Sequence, residues 1–352
     1  MSIGNEPLID LPAQTDIRRI LIMKWSAMGD VVISTALMED VRRAFPAAEI
    51  DINTLPPWAP LFRDDPRFRN VIAIPLRQGA RAMLQWLREI RRGNYDLIVD
   101  LQSTDRARIL HTLLLASGAR VPYRLGTHRR FPYTIAPGPQ PPAVHAFEHL
   151  RAALRAGGIP TVTPRPALFV PTRHRQRAAE LLSGHGIGAD TRYAVFLPGC
   201  QAAGYLKRWG ALRYSALALY LREAGYQRIV ILGGKDEMEE CRLIEQACGA
   251  WLVNLCGQTE ILDLVPICEN AGCIVANDTG TAHVASSTPT PQVVVCGPTD
   301  PRRVKPLGDN VAALQADIHC MNCYRKQCSH HSCMELVSPE AVFSALQKLG
   351  AV

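Results

Sequence analysis

No apolar run in this 352-residue chain approaches the roughly 20 residues that a membrane-spanning helix requires. Met1 to Ile17 is polar, with acids and prolines, and has no apolar stretch of the kind a signal peptide carries. The expectation is a protein that stays in the cytoplasm. Neither half contains G-x-G-x-x-G or G-x-x-x-x-G-K-[ST], which argues against an NAD dehydrogenase and against a P-loop ATPase. A second C-x2-C pair to match Cys320-x2-Cys323 is missing, so the spacing departs from the common zinc ribbons. Lysine is nearly absent from the first 180 residues, where 24 of 25 basic residues are Arg and Lys24 is the exception.

What is present reads as an ordinary globular protein, 47% hydrophobic and 20% charged. The length suits two domains of about 150 residues each. In a reducing compartment the eleven cysteines are expected as thiols or metal ligands rather than disulfides. Charge is divided unevenly. Residues 1–180 carry 25 Lys/Arg against 16 Asp/Glu, while residues 181–352 carry 14 against 16. Arg forms a planar fork for phosphate and carboxylate, so the first half suits an anionic partner, although a solvated Arg-rich surface would look the same.

Strand and helix patterns alternate along the whole chain. Arg18 to Lys24 reads as a buried strand, followed by the loop Trp25 to Gly29 and a helix from Asp30 to Ala44. Strands are expected at Glu49–Asn53, Asn70–Ile74 and Tyr95–Leu101, with helices over Ala80–Arg92 and about Arg106–Leu115. The scheme repeats after a Pro-rich stretch, Pro137 to Pro142, a helix near 146–157 and a Pro-containing linker. Strands then fall at Tyr193–Leu197, Arg228–Leu232, Trp251–Asn254, Cys273–Val275 and Gln292–Cys296. Helices fall near Arg173–Gly184, Ala211–Ala224, Glu237–Cys248 and Ile261–Asn270. The fold class is therefore α/β: two doubly wound Rossmann-like domains facing across a cleft, over 1–170 and 171–352, with ligands beyond the carboxyl ends of the strands.

The most informative run is Ala276-Asn277-Asp278-Thr279-Gly280-Thr281-Ala282-His283, between a buried strand and a helix. A helix start with a glycine offers free N–H groups and close backbone approach, which suits a nucleotide diphosphate; a capped helix in any α/β protein fits as well. Asp30 lies at the first strand–turn–helix junction, where a carboxylate can serve as a general base or simply as a first-turn acid. Lys207, in the first long loop of the second domain, can neutralise diphosphate charge or stand as a solvated cation. Asp236, just after Gly233-Gly234, occupies the place where doubly wound folds put an acid for ribose hydroxyls.

These motifs resemble those of the ADP-heptose:lipopolysaccharide heptosyltransferases, glycosyltransferase family 9, over about residues 18 to 349. The resemblance rests on Lys24-x5-Asp30 with Met28-Gly29-Asp30-Val31-Val32, Tyr95 to Gln102, Lys207-Arg208-Trp209, Gly233-Gly234-x-Asp236 and Asn277 to His283. It implies the two-domain GT-B fold, with an acceptor-binding first domain and a nucleotide-sugar-binding second domain. It also implies transfer of a heptose from ADP-heptose, with inversion, to a lipopolysaccharide inner-core acceptor. Asp30 is implied as the base. Lys207, Asp278, Thr279, Gly280 and His283 are implied as donor contacts, and Asp236 as the contact to the adenosine part. No cofactor is implied for the chemistry. The chain departs from the family pattern at Gly199-Cys200-Gln201-Ala202-Ala203, where hydroxyl residues are usual.

The Arg excess suits an anionic lipid-linked oligosaccharide, with Arg106, Arg108, Arg129 and Arg130 as candidate contacts, and peripheral attachment to the inner membrane surface. No nucleic-acid partner is expected. Within the Cys-rich segment 319–333, Cys320, Cys323, Cys328 and Cys333 supply enough ligands for a structural zinc or iron. A closing helix from Pro339 to Leu349 is expected to pack back toward the first domain. Two alternatives stand beside the leading reading: a GT-B transferase using another nucleotide sugar or acceptor, and a metal-binding or redox protein on a nucleotide-binding scaffold.

Overall fold

A computed structural model describes residues 8–352 except 15, 140, 142–144 and 201. The Met1–Ile17 reading, the Pro137–Pro142 stretch and the Gly199–Ala203 departure thus lie partly outside the described residues. The chain divides into two compact units, Met1–Phe169 and Val170–Val352.

In the first unit the order is β1 (Arg19–Met23), α1 (Met28–Ala44), β2 (Glu49–Thr54), β3 (Asn70–Ala73), α2 (Ala80–Arg92), β4 (Leu97–Asp100), α3 (Asp105–Ala116), β5 (Tyr123–Leu125) and α4 (Ala146–Ala156). The strands form one parallel sheet in the order β3-β2-β1-β4-β5. β1 and β4 are buried along nearly their whole length, as strands covered on both faces must be. The chain winds outward from β1 in one direction and from β4 in the other, so the crevice beyond the ends of β1 and β4 is the topological switch point. On one face Trp86, Ile90 and Ala82 of α2 pack with Leu110 and Leu114 of α3 and with Leu21 and Met23 of β1. The buried Asn53 accepts from the indole N–H of both Trp25 and Trp86, at 2.7 Å each, tying the loop after β1 to this core.

The second unit runs α5 (Thr172–Gly184), β6 (Tyr193–Leu197), α6 (Ala211–Glu223), β7 (Arg228–Ile231), α7 (Met238–Cys248), β8 (Leu252–Asn254), α8 (Leu264–Glu269), β9 (Cys273–Asn277), α9 (Gly280–Ala285), β10 (Gln292–Cys296), α10 (Pro301–Val304), β11 (Val311–Gln315), α11 (Ser332–Glu335) and α12 (Pro339–Lys348). Its parallel sheet has the order β11-β10-β9-β6-β7-β8, which places the switch point between β6 and β9.

Most sequence expectations coincide with these elements to within a few residues. The Tyr95–Leu101 strand is shorter, because Asp96 turns its carboxylate onto the Arg18 and Arg19 N–H groups before β4 begins. β5 and β11 have no counterpart in the sequence reading. The closing helix belongs to the second unit. Val342, Ala345 and Leu346 of α12 are buried with Trp209, Tyr214 and Leu217, within the second unit's own core. Ser338 caps this helix through Ala341 N–H, and Pro339 fills its first position.

Candidate active site

The second unit's switch point gathers three loops. After β6 comes Pro198 to Gly210, with a 3-10 helix over Ala202–Lys207; after β9 comes Asp278-Thr279; after β10 comes Gly297 to Asp300. Asn277, fully buried at the end of β9, fastens the first loop. Its side-chain N–H donates to Pro198 O, and its Oδ1 accepts from Trp209 N at 3.3 Å and from Tyr214 Oη at 3.1 Å. Trp209 is anchored at its far side, where the indole N–H donates to Val337 O at 2.7 Å. Lys207 is thereby held over the β9 loop.

Lys207 Nζ donates to Asp278 Oδ2 at 2.7 Å, and the same oxygen accepts from Thr299 Oγ1 at 2.7 Å. Burial alone would lower the Lys207 pKa. The Asp278 charge and hydrogen bond outweigh it, so the pKa is raised and the ammonium is kept. Thr299 is held by Gln315 of β11, whose amide donates to Gly297 O and Thr299 O, both at 2.9 Å. The structure therefore brings Lys207, Asp278 and Thr299 together. Thr279 and Gly280 are half-buried beside them, and His283 is buried one turn into α9. Thr279 does not cap α9 through its hydroxyl; the backbone alone turns there.

A second seam joins the loops after β6 and β7. Arg208 Nη2 donates to Cys200 O at 3.0 Å and to Asp236 O at 2.9 Å. Asp236 enters this seam through its carbonyl, and its residue is exposed. The neighbouring Glu237 accepts from Gly234 N–H and lies over Gly199, where a Cβ would stand 1.8 Å from the Glu237 Cγ. Gly199 is thus required for this close approach. Sequence reasoning selected Asp236 and passed over Glu237, one residue further along the same motif.

In the first unit Asp30 is exposed, the third residue of α1, with its Oδ2 accepting from Ala27 N–H at 3.1 Å. This carboxylate therefore serves the helix start. It also stands free enough of the core to meet a substrate. The loop before it is held from β4. Gln102 Oε1 accepts from Trp25 N at 2.8 Å and Ser26 N at 3.2 Å, and the buried Lys24 Nζ donates to Leu101 O at 2.9 Å. Burial lowers the Lys24 pKa, opposed by the charges of Asp30 and Asp100. Arg106, Arg129 and Arg130 are exposed, whereas Arg108 is half-buried and paired with Asp105 at 3.2 Å.

The C-terminal cysteines lie near one another, the charges of Cys323, Cys328 and Cys320 adding to burial in raising the Cys333 pKa. Among the described residues no group of three or more His, Cys, Asp or Glu is placed to hold a metal ion. Cys333 is buried against Gly297, Cys323 is exposed, and the Cys328 thiol has its pKa lowered by backbone N–H groups of His330 and His331. His331 is occupied elsewhere, donating to Leu206 O at 2.7 Å.

Comparison with known proteins shows the family and the fold. The chain is 25% identical over 350 residues to lipooligosaccharide heptosyltransferase 2 of Haemophilus influenzae, covering 94% of this chain and 99% of the relative. The crystal structure of the glycosyl transferase family 9 from Veillonella parvula shares its fold, with a TM-score of 0.82 at 22% identity over 96% of this chain and 98% of that one. The structure of Escherichia coli ADP-heptose LPS heptosyltransferase II superposes with a TM-score of 0.73 at 22% identity, covering 94% and 98%. Residues 83–334 match the family described as glycosyltransferase family 9 (heptosyltransferase), and with more than half of its length matched the chain belongs to that family.

Proposed function

We propose that the enzyme transfers a heptose from ADP-heptose, with inversion, to a lipopolysaccharide inner-core acceptor. The observation that carries this reading is the Lys207–Asp278–Thr299 cluster at the second unit's switch point, on a chain of this family. The donor class follows relatives named for ADP-heptose and for lipooligosaccharide. On this reading the acceptor hydroxyl oxygen attacks the anomeric carbon as the bond from that carbon to the diphosphate oxygen breaks. Asp30 takes the hydroxyl proton, and ADP leaves carrying the bonding electrons. Lys207 and the N–H groups from Thr279 to Thr281 meet the charge that develops on the departing diphosphate, so no cofactor is required. A single base suffices for direct displacement, contributing about 10²–10⁴-fold.

The exposed Arg106, Arg129 and Arg130 and the basic balance of the first half support an anionic, lipid-linked acceptor and peripheral contact with the inner face of the cytoplasmic membrane. No helix among the described residues is long and apolar enough to cross a membrane. A structural zinc or iron at Cys320, Cys323, Cys328 and Cys333 has the number of thiol ligands behind it; elemental analysis of the purified protein, with Cys320→Ser and Cys323→Ser as controls, decides it. The donor assignment is tested by thermal unfolding with ADP-heptose and with UDP-sugars. Protection by ADP-heptose alone is expected, and equal protection by a UDP-sugar would favour a transferase of different donor specificity. Asp30→Ala is expected to abolish transfer while donor binding persists; loss of donor binding in that variant would remove Asp30 as the base.

A further inference from the structure

We propose that Gln102 is a positioning residue for Asp30: its side-chain carbonyl is the hook on which the peptide leading into α1 hangs. The assignment of Asp30 as the base is the reading this rests on. Asp30 is the third residue of α1, which follows β1 by a loop of four residues, Lys24 to Ala27, that runs beyond the sheet ladder. The ladder's last contacts are Leu101 N to Met23 O and Lys24 N to Asn53 O, at 3.0 Å each. Beyond them the backbone of Trp25 and Ser26 turns both N–H groups to one acceptor, Gln102 Oε1, at 2.8 and 3.2 Å. Ala27 then gives its N–H to Asp30 itself.

Gln102 is in turn fixed from within. Asp100, completely buried at the end of β4, accepts from Gln102 N at 2.8 Å and Ser103 N at 3.1 Å through Oδ1, and from Tyr133 Oη through Oδ2. Ser103 stands at φ 51°, a left-handed turn that the Asp100 contacts and the Thr127 hydroxyl, 2.7 Å from Ser103 Oγ, hold in place. A chain of contacts therefore runs from a buried carboxylate through Gln102 to the loop that carries the base. Two other ties on that loop, Lys24 Nζ to Leu101 O and Trp25 Nε1 to Asn53, hold side chains. Gln102 holds the backbone itself, where a displacement passes directly to Asp30. A misplacement of about 1 Å at a reacting group costs on the order of 10²-fold in rate.

The test compares Gln102→Met, which removes the acceptor at nearly the same length, with Gln102→Glu, which keeps it. Asp30→Asn and the double variant Asp30→Asn with Gln102→Met complete a cycle. Transfer from ADP-heptose to a lipopolysaccharide-core acceptor is followed at saturating donor, with donor binding and Tm measured on the same preparations. Gln102→Met is expected to lower kcat by about 10–100-fold with donor Kd within about twofold, and Gln102→Glu to stay within about threefold of the unaltered enzyme. The double variant is expected to be no slower than Asp30→Asn, because a positioning residue has nothing left to position. If Gln102→Met does not fold, Gln102→Thr, which shortens the acceptor out of reach, carries the same comparison. The inference is overturned if the Met variant keeps its kcat, if the Glu variant falls as far as the Met variant, or if the two losses multiply. An active Asp30→Asn enzyme would overturn the base assignment instead, a separate outcome read from a separate variant.

Discussion

Replacing Asn277 by Leu is the sharpest test of how Lys207 is held. The side chain is fully buried and makes three hydrogen bonds, to Pro198 O, Trp209 N and Tyr214 Oη. Leu has the same number of side-chain heavy atoms with the same branching, so no cavity is opened and the polar loss dominates. Each buried group left without a partner costs about 1–3 kcal/mol. Tyr214 is itself fully buried and has no route to water for its hydroxyl. Part of the loss is offset by the apolar side chain, leaving a net destabilisation of about 3–5 kcal/mol. For a unit of this size, 1 kcal/mol corresponds to about 2–4 °C in Tm, so Tm of the second unit should fall by about 10 °C. Scanning calorimetry reads this shift. The donor Kd should also rise, because the loop bearing Lys207 loses its attachment to β9. A drop in Tm of less than about 2 °C would refute the reasoning, since it would mean that the three groups find other partners at no cost.

Four further outcomes follow from the same geometry. Asp30→Asn should reduce kcat by about 10²–10⁴-fold with unchanged donor affinity, read by steady-state kinetics and isothermal titration. Asp278→Ala removes the charge that keeps Lys207 protonated against burial; differential scanning fluorimetry should show a clear loss of Tm, and the Lys207 pKa, followed by NMR, should fall. Because the folded Lys207 pKa lies above the ordinary lysine value of 10.5, the pair's contribution is fully present below about pH 10 and is lost as pH rises through the folded value; Lys207→Met should lower Tm across the neutral range and flatten that alkaline decline. Gly199→Ala drives a methyl group into Glu237 and should weaken donor binding while leaving acceptor binding intact, as measured by separate titrations.

The legible parts of this protein are those where local pattern and final environment agree. Tyr193–Leu197 and Gln292–Cys296 are apolar runs that become central strands, and Ala80–Arg92 is an amphipathic helix between Gly79 and Gly93. β5 escaped notice because it is only three residues long, and β11 because alanine, a residue depleted in strands, supplies two of its five positions. The donor motif was legible as a string, but its working partners were not. Thr299 reaches Asp278 from 21 positions away because β10 pairs with β9, and Gln102 reaches Trp25 from 77 positions away because β4 pairs with β1. Such contacts belong to strand order, which periodicity does not encode. Asn277 and Gln102 lay inside motifs already singled out, yet an amide gives no hint of three buried bonds until its surroundings are known.

The bond from the Trp209 indole to Val337 O has a bearing on biosynthesis. A nascent polypeptide emerges in order, and the pocket-forming loop at 198–209 leaves the ribosome well over a hundred residues before its latch. Until Met334, Val337 and the face of α12 bearing Val342 and Leu346 have been delivered, the indole has no acceptor and its apolar surface has no cover. Nucleotide-sugar recognition is therefore among the last properties this polypeptide acquires. A stop codon ahead of Met334 would produce a protein whose six strands were all synthesised but whose Trp209 indole had neither acceptor nor cover.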